Sequence, residues 1–352
     1  MASKNFRLHF PYAEKMLLVV SRTFALNINV LSGKLRQSVL FAYLYLRIAD
    51  TLEDDAGLPP DEKCRLLSLF SAIFEDGADL QARLAGFEAA LPADWKSSED
   101  PNRELCARAG WVVPLLWELP RKFVLPVCAV VVEMCGGMSR SVKRQEAALA
   151  AGWLSLNTVA ELEEYCYFVA GIVGKMLTDV FAADCRLISE KRRQMMKKLD
   201  VSFGLALQLV NIIKDVREDS ERKVCFVPEE LCAKHGFSHS RDMFAEGASE
   251  TDRAAVMREL CAHAWKHLED AIRYTVEIPR AYPRLRLFCL WPLFMAAENL
   301  VVFGDCAKLF DAGKKAKITR GDVKRITRST LLHFYSDGWI LRRFETLKAQ
   351  AV

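Results

Sequence analysis

The chain contains two short acidic clusters with the same spacing, Asp50-Thr51-Leu52-Glu53-Asp54 and Asp215-Val216-Arg217-Glu218-Asp219. Because residues three and four apart share one face of an α-helix, each cluster places three carboxylates on one side of a single turn. Like charges at this spacing repel one another, so each face requires a cation. Oxygen ligands of this kind suit Mg²⁺, which binds one or two carboxylates together with substrate phosphates. Two such faces opposed across a helical bundle would form a diphosphate-binding cavity.

The residues that lead into each cluster are apolar or aromatic, in Tyr43–Ala49 and in Leu207–Ile213. A single acidic cluster is more typical of a solvated helix face. A second copy with apolar flanks favours carboxylates that point into a cavity, because carboxylates are rarely buried without a partner. The sequence therefore predicts six metal ligands: Asp50, Glu53, Asp54, Asp215, Glu218 and Asp219.

The spacing of apolar residues predicts helix through nearly all of the chain, and strand alternation is scarce. No internal repeat of a solenoid period is present. Glycine and proline mark the expected breaks. The predicted segments are helices over Leu35–Asp54, Val159–Phe181 and Lys197–Asp219, breaks at Gly57–Pro60 and Gly136-Gly137, a cap at Asp61 and a loop over Pro92–Pro101.

Composition excludes several classes of protein. The 352 residues carry a net charge of only +4, too little to indicate nucleic-acid binding. Eleven cysteines without C-x-x-C spacing, and a polar start without a signal peptide, are typical of free thiols in a reducing cytoplasm. No stretch reaches the roughly 20 apolar residues of a membrane helix. The two richest, Phe123–Val132 and Leu287–Ala297, are interrupted by prolines and are expected to be buried helices.

Histidines and glycine-rich loops offer few further motifs. His263 and His267 are four residues apart, as in a zinc-binding helix, but Ala264 stands where a zincin has glutamate. The sequence therefore disfavours a zinc site at this pair. Neither a P-loop nor a G-x-G-x-x-G motif is present, so any nicotinamide cofactor must bind without a Rossmann unit.

Taken in order, five segments of the chain resemble squalene and phytoene synthases. The resemblance runs from about residue 20 to about residue 300. The first acidic cluster, Asp50–Asp54, is of the type found in squalene synthases. Phe288–Pro292 and Lys317–Gly321 resemble squalene-synthase segments too, although a basic residue is usual where Thr319 stands. The five segments are the two acidic clusters with their flanks, Ser21-Arg22-Thr23-Phe24, Tyr165–Gly174 and Phe226-Val227-Pro228.

The resemblance implies an all-α fold, a single isoprenoid-synthase domain over residues 1–352 with a central cavity. It implies that two farnesyl diphosphates are joined head to head, with Mg²⁺, through presqualene diphosphate, and that NADPH then reduces this intermediate to squalene. Three alternatives remain open: a non-reducing synthase that makes dehydrosqualene, hydroxysqualene or phytoene, a non-catalytic family member that acts in assembly, and a terpene cyclase. We expect a cytoplasmic monomer with peripheral membrane contact for release of an apolar product.

The resemblance also assigns roles to individual residues. Tyr165 matches the family's motif tyrosine and would relay a proton. Gly171 and Gly174 would let either a farnesyl chain or a second helix come close. Phe24, Tyr43, Tyr45, Phe168, Phe203 and Phe288 are candidates to line a dry pocket. The implied catalytic residues are Tyr165, Arg47, Asp50, Asp54, Asp215 and Asp219; the substrate-binding residues are Ser21, Arg22, Thr23, Phe24, Tyr43, Arg47, Gln208, Lys214 and Phe288; the cofactor-binding residues are Asn211, Lys317 and Arg320.

Overall fold

The computed structural model describes residues 3–77, 79–150, 152–311 and 316–351, without the side chains of residues 22, 23, 147, 149 and 150. Helix dominates the described chain, which confirms the all-α prediction. The α-helices are α1 Lys4–Val20, α2 Arg22–Val30, α3 Gly33–Asp54, α4 Pro60–Ala72, α5 Leu80–Ala90, α6 Pro101–Ala107, α7 Ala109–Val112, α8 Arg121–Ala150, α9 Val159–Cys166, α10 Ile172–Asp184, α11 Glu190–Lys197, α12 Asp200–Glu221, α13 Glu229–Lys234, α14 Glu250–Glu277, α15 Pro283–Phe303, α16 Ala307–Phe310, α17 Arg320–His333 and α18 Asp337–Gln350.

Short elements complete the described chain. A π-helical segment, Tyr167–Gly171, lies between α9 and α10, and 3-10 turns cover Ala93–Ser97, Val113–Glu118 and Ser240–Phe244. Two strands of two residues, β1 Leu154–Ser155 and β2 Val224–Cys225, pair in parallel. Asp61 does not cap α4 as expected, because the helix begins one residue earlier, at Pro60, a favoured first position.

The chain divides into two compact units, which are described separately. The first comprises Met1–Arg144 and Met176–Arg186 and is built around α3. This helix packs against α1, α4 and α6 and buries a face that includes Phe41, Tyr45 and Ile48. The hydroxyl of Tyr45 donates to the backbone carbonyls of Val112 and Val113, at 3.2 and 3.0 Å. Tyr45 is thus a core residue and does not line a pocket.

The second unit comprises Gln145–Lys175 and Leu187–Val352, and α12 lies at its centre. This helix contacts α14, α15, α9 and the π-helical segment. The backbone of α12 comes unusually close to the backbone of that segment and of the first turn of α10. A Cβ atom on Gly174 would overlap the backbone carbonyl of Asp200, and one on Gly204 would overlap the carbonyl of Ala170. The structure therefore shows the helix-packing role for Gly174, since backbone occupies the space where a side chain would stand.

The parallel pairing of β1 and β2 fixes the segment that follows α12. Leu154 is in register with Val224 and Ser155 with Cys225. The chain enters this pairing through Lys223, whose φ of 61° lies in the left-handed region that rarely suits a lysine. The second acidic cluster and the residues after it are therefore held against the start of α9.

The expected break at Gly136-Gly137 does not occur, because α8 runs through it as well as through Pro126. α15 likewise runs through Pro292, so both proline-interrupted apolar stretches are helical, as expected. Glycine costs a helix about 1 kcal/mol relative to alanine. Burial of Val127, Val131 and other apolar residues of α8 outweighs that cost.

The expectation that no segment is long enough to cross a membrane is wrong. Three helical segments in the described ranges satisfy the length and composition of a membrane span. In two of them the helix continues through a proline, and in the third the π-helical segment joins α9 to α10. The buried share of the most apolar stretch is 50% in Arg121–Glu146, 50% in Val159–Asp184 and 78% in Pro283–Phe303.

We predict that Gly174→Ala destabilises the protein by about 1–3 kcal/mol or more, because the added methyl group meets a backbone carbonyl that no rotamer change can move. The matched control is Gly86→Ala in α5. Gly86 has ordinary helical backbone, and no atom lies within 4 Å of the added Cβ. The free energy of unfolding of this variant should therefore rise by about 0.5–1 kcal/mol. Chemical denaturation measures both; equal stability of the two variants would contradict the close approach.

Candidate active site

The first acidic cluster forms the C-terminal end of α3, in the first unit. Glu53 is buried, Asp50 is partly buried and Asp54 is exposed. The C-terminus of a helix carries the negative end of its dipole, so carboxylates are unfavourable there. The electrostatics of this helix end are therefore repulsive without a cation.

The pKa of Asp50 is raised to about 7 and that of Glu53 to about 8, mainly by burial and in part by the neighbouring carboxylates of the cluster. Arg47 opposes this effect at Asp50, with Nη1 at 3.8 Å from Oδ2. Oε1 of Glu53 is buried and has no hydrogen-bond partner in the described residues. A clustered set of oxygen ligands, one of them unsatisfied, fits a hard divalent cation such as Mg²⁺.

The next residue, Asp55, has a different environment. Its carboxylate accepts two hydrogen bonds from Arg103, at 2.7 Å from Nε and 3.0 Å from Nη2. It also accepts from the backbone N–H of Gly57, at 2.8 Å. The pKa of Asp55 falls below its usual value, because these hydrogen bonds and the Arg103 charge outweigh its burial. Asp55 therefore closes the helix end and is not part of the acidic face.

Three predicted substrate-binding side chains form a row beside the first cluster. The rings of Phe24 and Tyr43 lie 5.4 Å apart, and the guanidinium of Arg47 lies 5.7 Å from the Tyr43 ring. Nη2 of Arg47 also donates to the Tyr43 hydroxyl at 3.1 Å, and Nε of Arg47 is buried without a hydrogen-bond partner among the described residues. The row leads from an aromatic surface to Asp50, so an apolar group and an anionic group could be held side by side.

The Ser21-Arg22-Thr23-Phe24 motif begins α2. The Ser21 hydroxyl caps this helix by accepting from the N–H of Phe24 at 3.2 Å. Ser21 thus has a structural role, and substrate binding by it remains a prediction. The side chains of Arg22 and Thr23 lie outside the described part of the chain. The backbone N–H groups at a helix N-terminus favour anions such as phosphate.

The second acidic cluster forms the C-terminal end of α12, in the second unit. Burial raises the pKa of Asp219, and an ion pair with Arg222 opposes the increase. Lys214 Nζ lies 3.4 Å from Asp215 Oδ2 and donates to Asn211 Oδ1 at 2.8 Å. The predicted residues Asn211, Lys214 and Asp215 are therefore neighbours. Glu218 is exposed and Gln208, one turn before Asn211, is partly buried.

Tyr165 lies on α9 and stacks on Phe226, with ring centroids 4.5 Å apart and an angle of 16° between the planes. The sequence placed both residues in motifs but did not pair them. The pairing follows from the strands β1 and β2, which hold the chain after α12 beside the chain before α9. π-Helical turns such as Tyr167–Gly171, which follows Tyr165, are frequent at functional sites.

The other predicted residues of the second unit have mixed environments. Phe288 on α15 is buried, and Phe203 packs edge-on against Tyr274, so both contribute to the core. Lys317 and Arg320 are exposed. Thr319 caps α17: its hydroxyl accepts from the N–H of Asp322, whose carboxylate accepts in return from the Thr319 N–H. This cap explains a threonine where related segments have a basic residue.

Comparisons with known proteins agree with these motifs. The family model described as squalene/phytoene synthase matches residues 18–303. Squalene synthase 1 of Arabidopsis thaliana is 27% identical, over 92% of this chain and 71% of that protein. Inactive squalene synthase 2 of the same plant is 24% identical, also over 92% and 71%. The solved structure of TcSQS with the ligand BPH1237 shares the fold, with a TM-score of 0.79 and 24% identity over 99% of this chain and 92% of that one.

We predict that Glu53→Gln stabilises the metal-free protein at pH 7.5 by about 1–3 kcal/mol, because it removes a carboxylate whose ionisation burial disfavours. The same variant should show a smaller rise in melting temperature on addition of Mg²⁺. Asp55→Asn is the control: it should lower stability by about 1–2 kcal/mol through loss of the Arg103 pair and keep the Mg²⁺ response. Thermal unfolding with and without Mg²⁺ measures both. An undiminished Mg²⁺ response in Glu53→Gln would remove Glu53 from the ligand set.

Proposed function

Because the chain belongs to the squalene/phytoene synthase family, we propose that it is a squalene synthase-type farnesyltransferase. It would join two farnesyl diphosphates head to head to form presqualene diphosphate and then reduce this product to squalene. The observation that carries the proposal is the acidic end of α3. There, carboxylates with raised pKa values and an unsatisfied buried oxygen indicate a role that requires a bound cation.

The first step is departure of diphosphate from one substrate. Mg²⁺ would supply positive charge for the leaving group, held by Asp50, Glu53 and Asp54 at one motif and by Asp215, Glu218 and Asp219 at the other. Arg47 and Lys214 lie beside these carboxylates and would bind the phosphate oxygens directly. Arg22, in the first turn of α2, would add a further charge at a helix N-terminus.

The allylic cation that remains must be kept from water. The aromatic faces of Phe24 and Tyr43 lie next to Arg47 and would contact the hydrocarbon close to its diphosphate. Aromatic faces attract a cation while they exclude solvent. Phe24 is 42% exposed, so its ring is accessible to a substrate.

A proton must be lost when the cyclopropane ring of presqualene diphosphate closes. Tyr165 would relay this proton through its hydroxyl, with diphosphate as the final acceptor. The stacking of its ring on Phe226 would fix the direction of the hydroxyl. Phe226 is therefore a positioning residue in this proposal.

The reductive half-reaction requires NADPH, which would supply hydride to the rearranged cation. Asn211, on the same turn of α12 as Lys214, and the exposed Lys317 and Arg320 are the residues that we assign to this cofactor. Thr319 serves as a helix cap and adds no charge, so binding of the cofactor phosphate falls to Lys317 and Arg320.

Two alternatives remain as outcomes of the test. A non-reducing synthase would stop at products that contain no hydride from NADPH. A non-catalytic family member would release no diphosphate, and one of the similar plant proteins is described as inactive. Both acidic motifs are complete in this chain, which favours catalysis.

We propose that the protein acts as a monomer in the cytoplasm and touches a membrane at its surface. Its product would be an apolar hydrocarbon whose transfer into water is costly, which favours direct delivery to lipid. The apolar helices Arg121–Glu146, Val159–Asp184 and Pro283–Phe303 are the segments to examine for that contact.

The proposed function predicts Mg²⁺-dependent release of diphosphate from labelled farnesyl diphosphate, with squalene as the main hydrocarbon when NADPH is present. Without NADPH, presqualene diphosphate or its breakdown products should accumulate. Asp50→Asn and Asp215→Asn should each reduce turnover by about two orders of magnitude or more, because each removes charge that stabilises the leaving group. Mass spectrometry of the products and a diphosphate assay provide the measurements.

Glu221→Gln is the matched control for these variants. Glu221 ends α12, the helix that carries Asp215, but it is exposed and pairs only with Arg217 among the contacts described. It should retain full activity. Near-normal turnover of Asp50→Asn or Asp215→Asn at saturating substrate would contradict the metal-binding role. The same products with and without NADPH would leave the non-reducing synthase in place of the proposed enzyme.

For Tyr165→Phe we predict loss of presqualene diphosphate formation by at least about tenfold with unchanged substrate binding, because phenylalanine keeps the stacking on Phe226 and removes only the hydroxyl. Single-turnover kinetics and calorimetric binding of an unreactive farnesyl analogue separate the two effects. Tyr167→Phe, which loses a hydroxyl that accepts from Lys175 at 2.8 Å, is the control and should keep the rate. A wild-type rate in Tyr165→Phe would assign the proton transfer to another group.

A further inference from the structure

A carboxylate and two imidazoles converge in the second unit, away from the carboxylate motifs in sequence. Glu163 projects from α9, and His263 and His267 project from successive turns of α14. One ligand atom from each of the three residues lies within 4.8 Å of the other two. Sequence analysis identified the histidine pair but had no third ligand for it.

The distances within this cluster match those between ligands that share one metal ion. Oε1 of Glu163 lies 3.0 Å from Nε2 of His263 and 3.3 Å from Nε2 of His267. In a tetrahedral zinc site with bonds of about 2.0–2.1 Å, adjacent ligand atoms are about 3.3 Å apart. A cation placed between the three atoms would therefore need little rearrangement of the side chains.

Hydrogen bonding does not account for all of this arrangement. Nε2 of His263 is buried and has no hydrogen-bond partner in the part of the chain that the structure describes, although the Glu163 oxygen is only 3.0 Å away. The two atoms are close but not aligned as donor and acceptor. Oε1 of Glu163 does hydrogen-bond with Nε2 of His267, at 3.3 Å, so the close contact with His263 is the one that a shared ion would explain.

The ring of His267 is held from its other side. Its Nδ1 lies 3.2 Å from the Ser202 hydroxyl, and that hydroxyl lies 3.4 Å from Oδ2 of Asp270. Metal-binding histidines characteristically have such a partner on the second ring nitrogen, which fixes the ring orientation. Nε2 of His267 is thereby directed to the Glu163 side.

Another histidine–glutamate pair in the chain shows the contrast. His235 Nε2 lies 3.0 Å from Glu259 Oε2, but Lys234 Nζ contacts the same carboxylate at 2.7 Å. A positive charge already neutralises Glu259, and no second imidazole is among the contacts described for it. This carboxylate is already paired with a cation, whereas Glu163 faces two imidazoles, which neutralise a carboxylate only when they are protonated.

We propose that Glu163, His263 and His267 bind one Zn²⁺ ion, with water as the fourth ligand. Two imidazole nitrogens and one carboxylate suit zinc and disfavour Mg²⁺, which prefers oxygen ligands. Glu163 is 41% exposed, so its side of the site is open to water. The ion would fasten α9, which carries Tyr165, to α14, and through Ser202 to α12.

The test is calorimetric titration of the metal-stripped full chain with Zn²⁺ in a buffer with excess Mg²⁺, which occupies the carboxylate motifs. We expect one equivalent of Zn²⁺ and a rise in melting temperature. His263→Ala, His267→Ala and Glu163→Gln should each weaken this binding by about a hundredfold. Substitution with Co²⁺ should give visible ligand-field absorption in the wild type and not in the histidine variants.

His235→Ala is the matched control and should bind Zn²⁺ as the wild type does. Circular dichroism of the metal-free variants checks that each one is folded; where His263→Ala is not, Glu163→Gln provides the same comparison with an isosteric side chain. Equal Zn²⁺ binding by the wild type and the three ligand variants would place the ion elsewhere, for example on cysteines, and overturn the proposal. Absence of Zn²⁺ binding to the wild type would overturn it as well.

Discussion

The close backbone contact between α12 and the segment from Ala170 to Gly174 is the constraint on which the second unit depends. Gly174 and Gly204 lie where the opposing backbone leaves no room for a Cβ atom. This contact fixes α12, and α12 in turn supports α14, α15 and α9. The position of Tyr165, the acidic end of α12 and the histidine pair on α14 all follow from it. A packing contact without any reactive group therefore underlies the chemistry of this unit.

The two acidic motifs are alike in sequence but differ in their electrostatic environment. In the first, Glu53 is buried, and one of its oxygens has no hydrogen-bond partner within the described ranges. In the second, the buried acid is Asp219, and Arg222 already pairs with it. Carboxylates at the negative end of a helix dipole are unfavourable in both places. Among the contacts described, the buried acid of the first motif thus has less compensation than that of the second, and a cation would stabilise the first motif more.

Spacing along the chain was sufficient to predict the helices and the acidic faces, because both depend on residues within one or two turns. Long-range packing was not predictable in this way. The helix through Gly136-Gly137 persists because its apolar neighbours are buried, and no local signal reports that burial. Asp55 directly follows the acidic cluster, yet its partner is Arg103, 48 residues away, which spacing does not reveal. Glu163 could not be joined to His263 for the same reason.

The π-helical segment Tyr167–Gly171 contributes a rotation. An α-helix turns by about 100° per residue, and a π-helical turn accommodates one additional residue. The helix before this segment is therefore out of phase, by about that angle, with the helix after it. Because of this offset, Gly174, which follows the segment, meets α12. Tyr165 and Glu163, which precede the segment, meet Phe226 and the two histidines. Deletion of one residue here would restore a regular helix and turn both side chains from their partners, although every functional group would still be present.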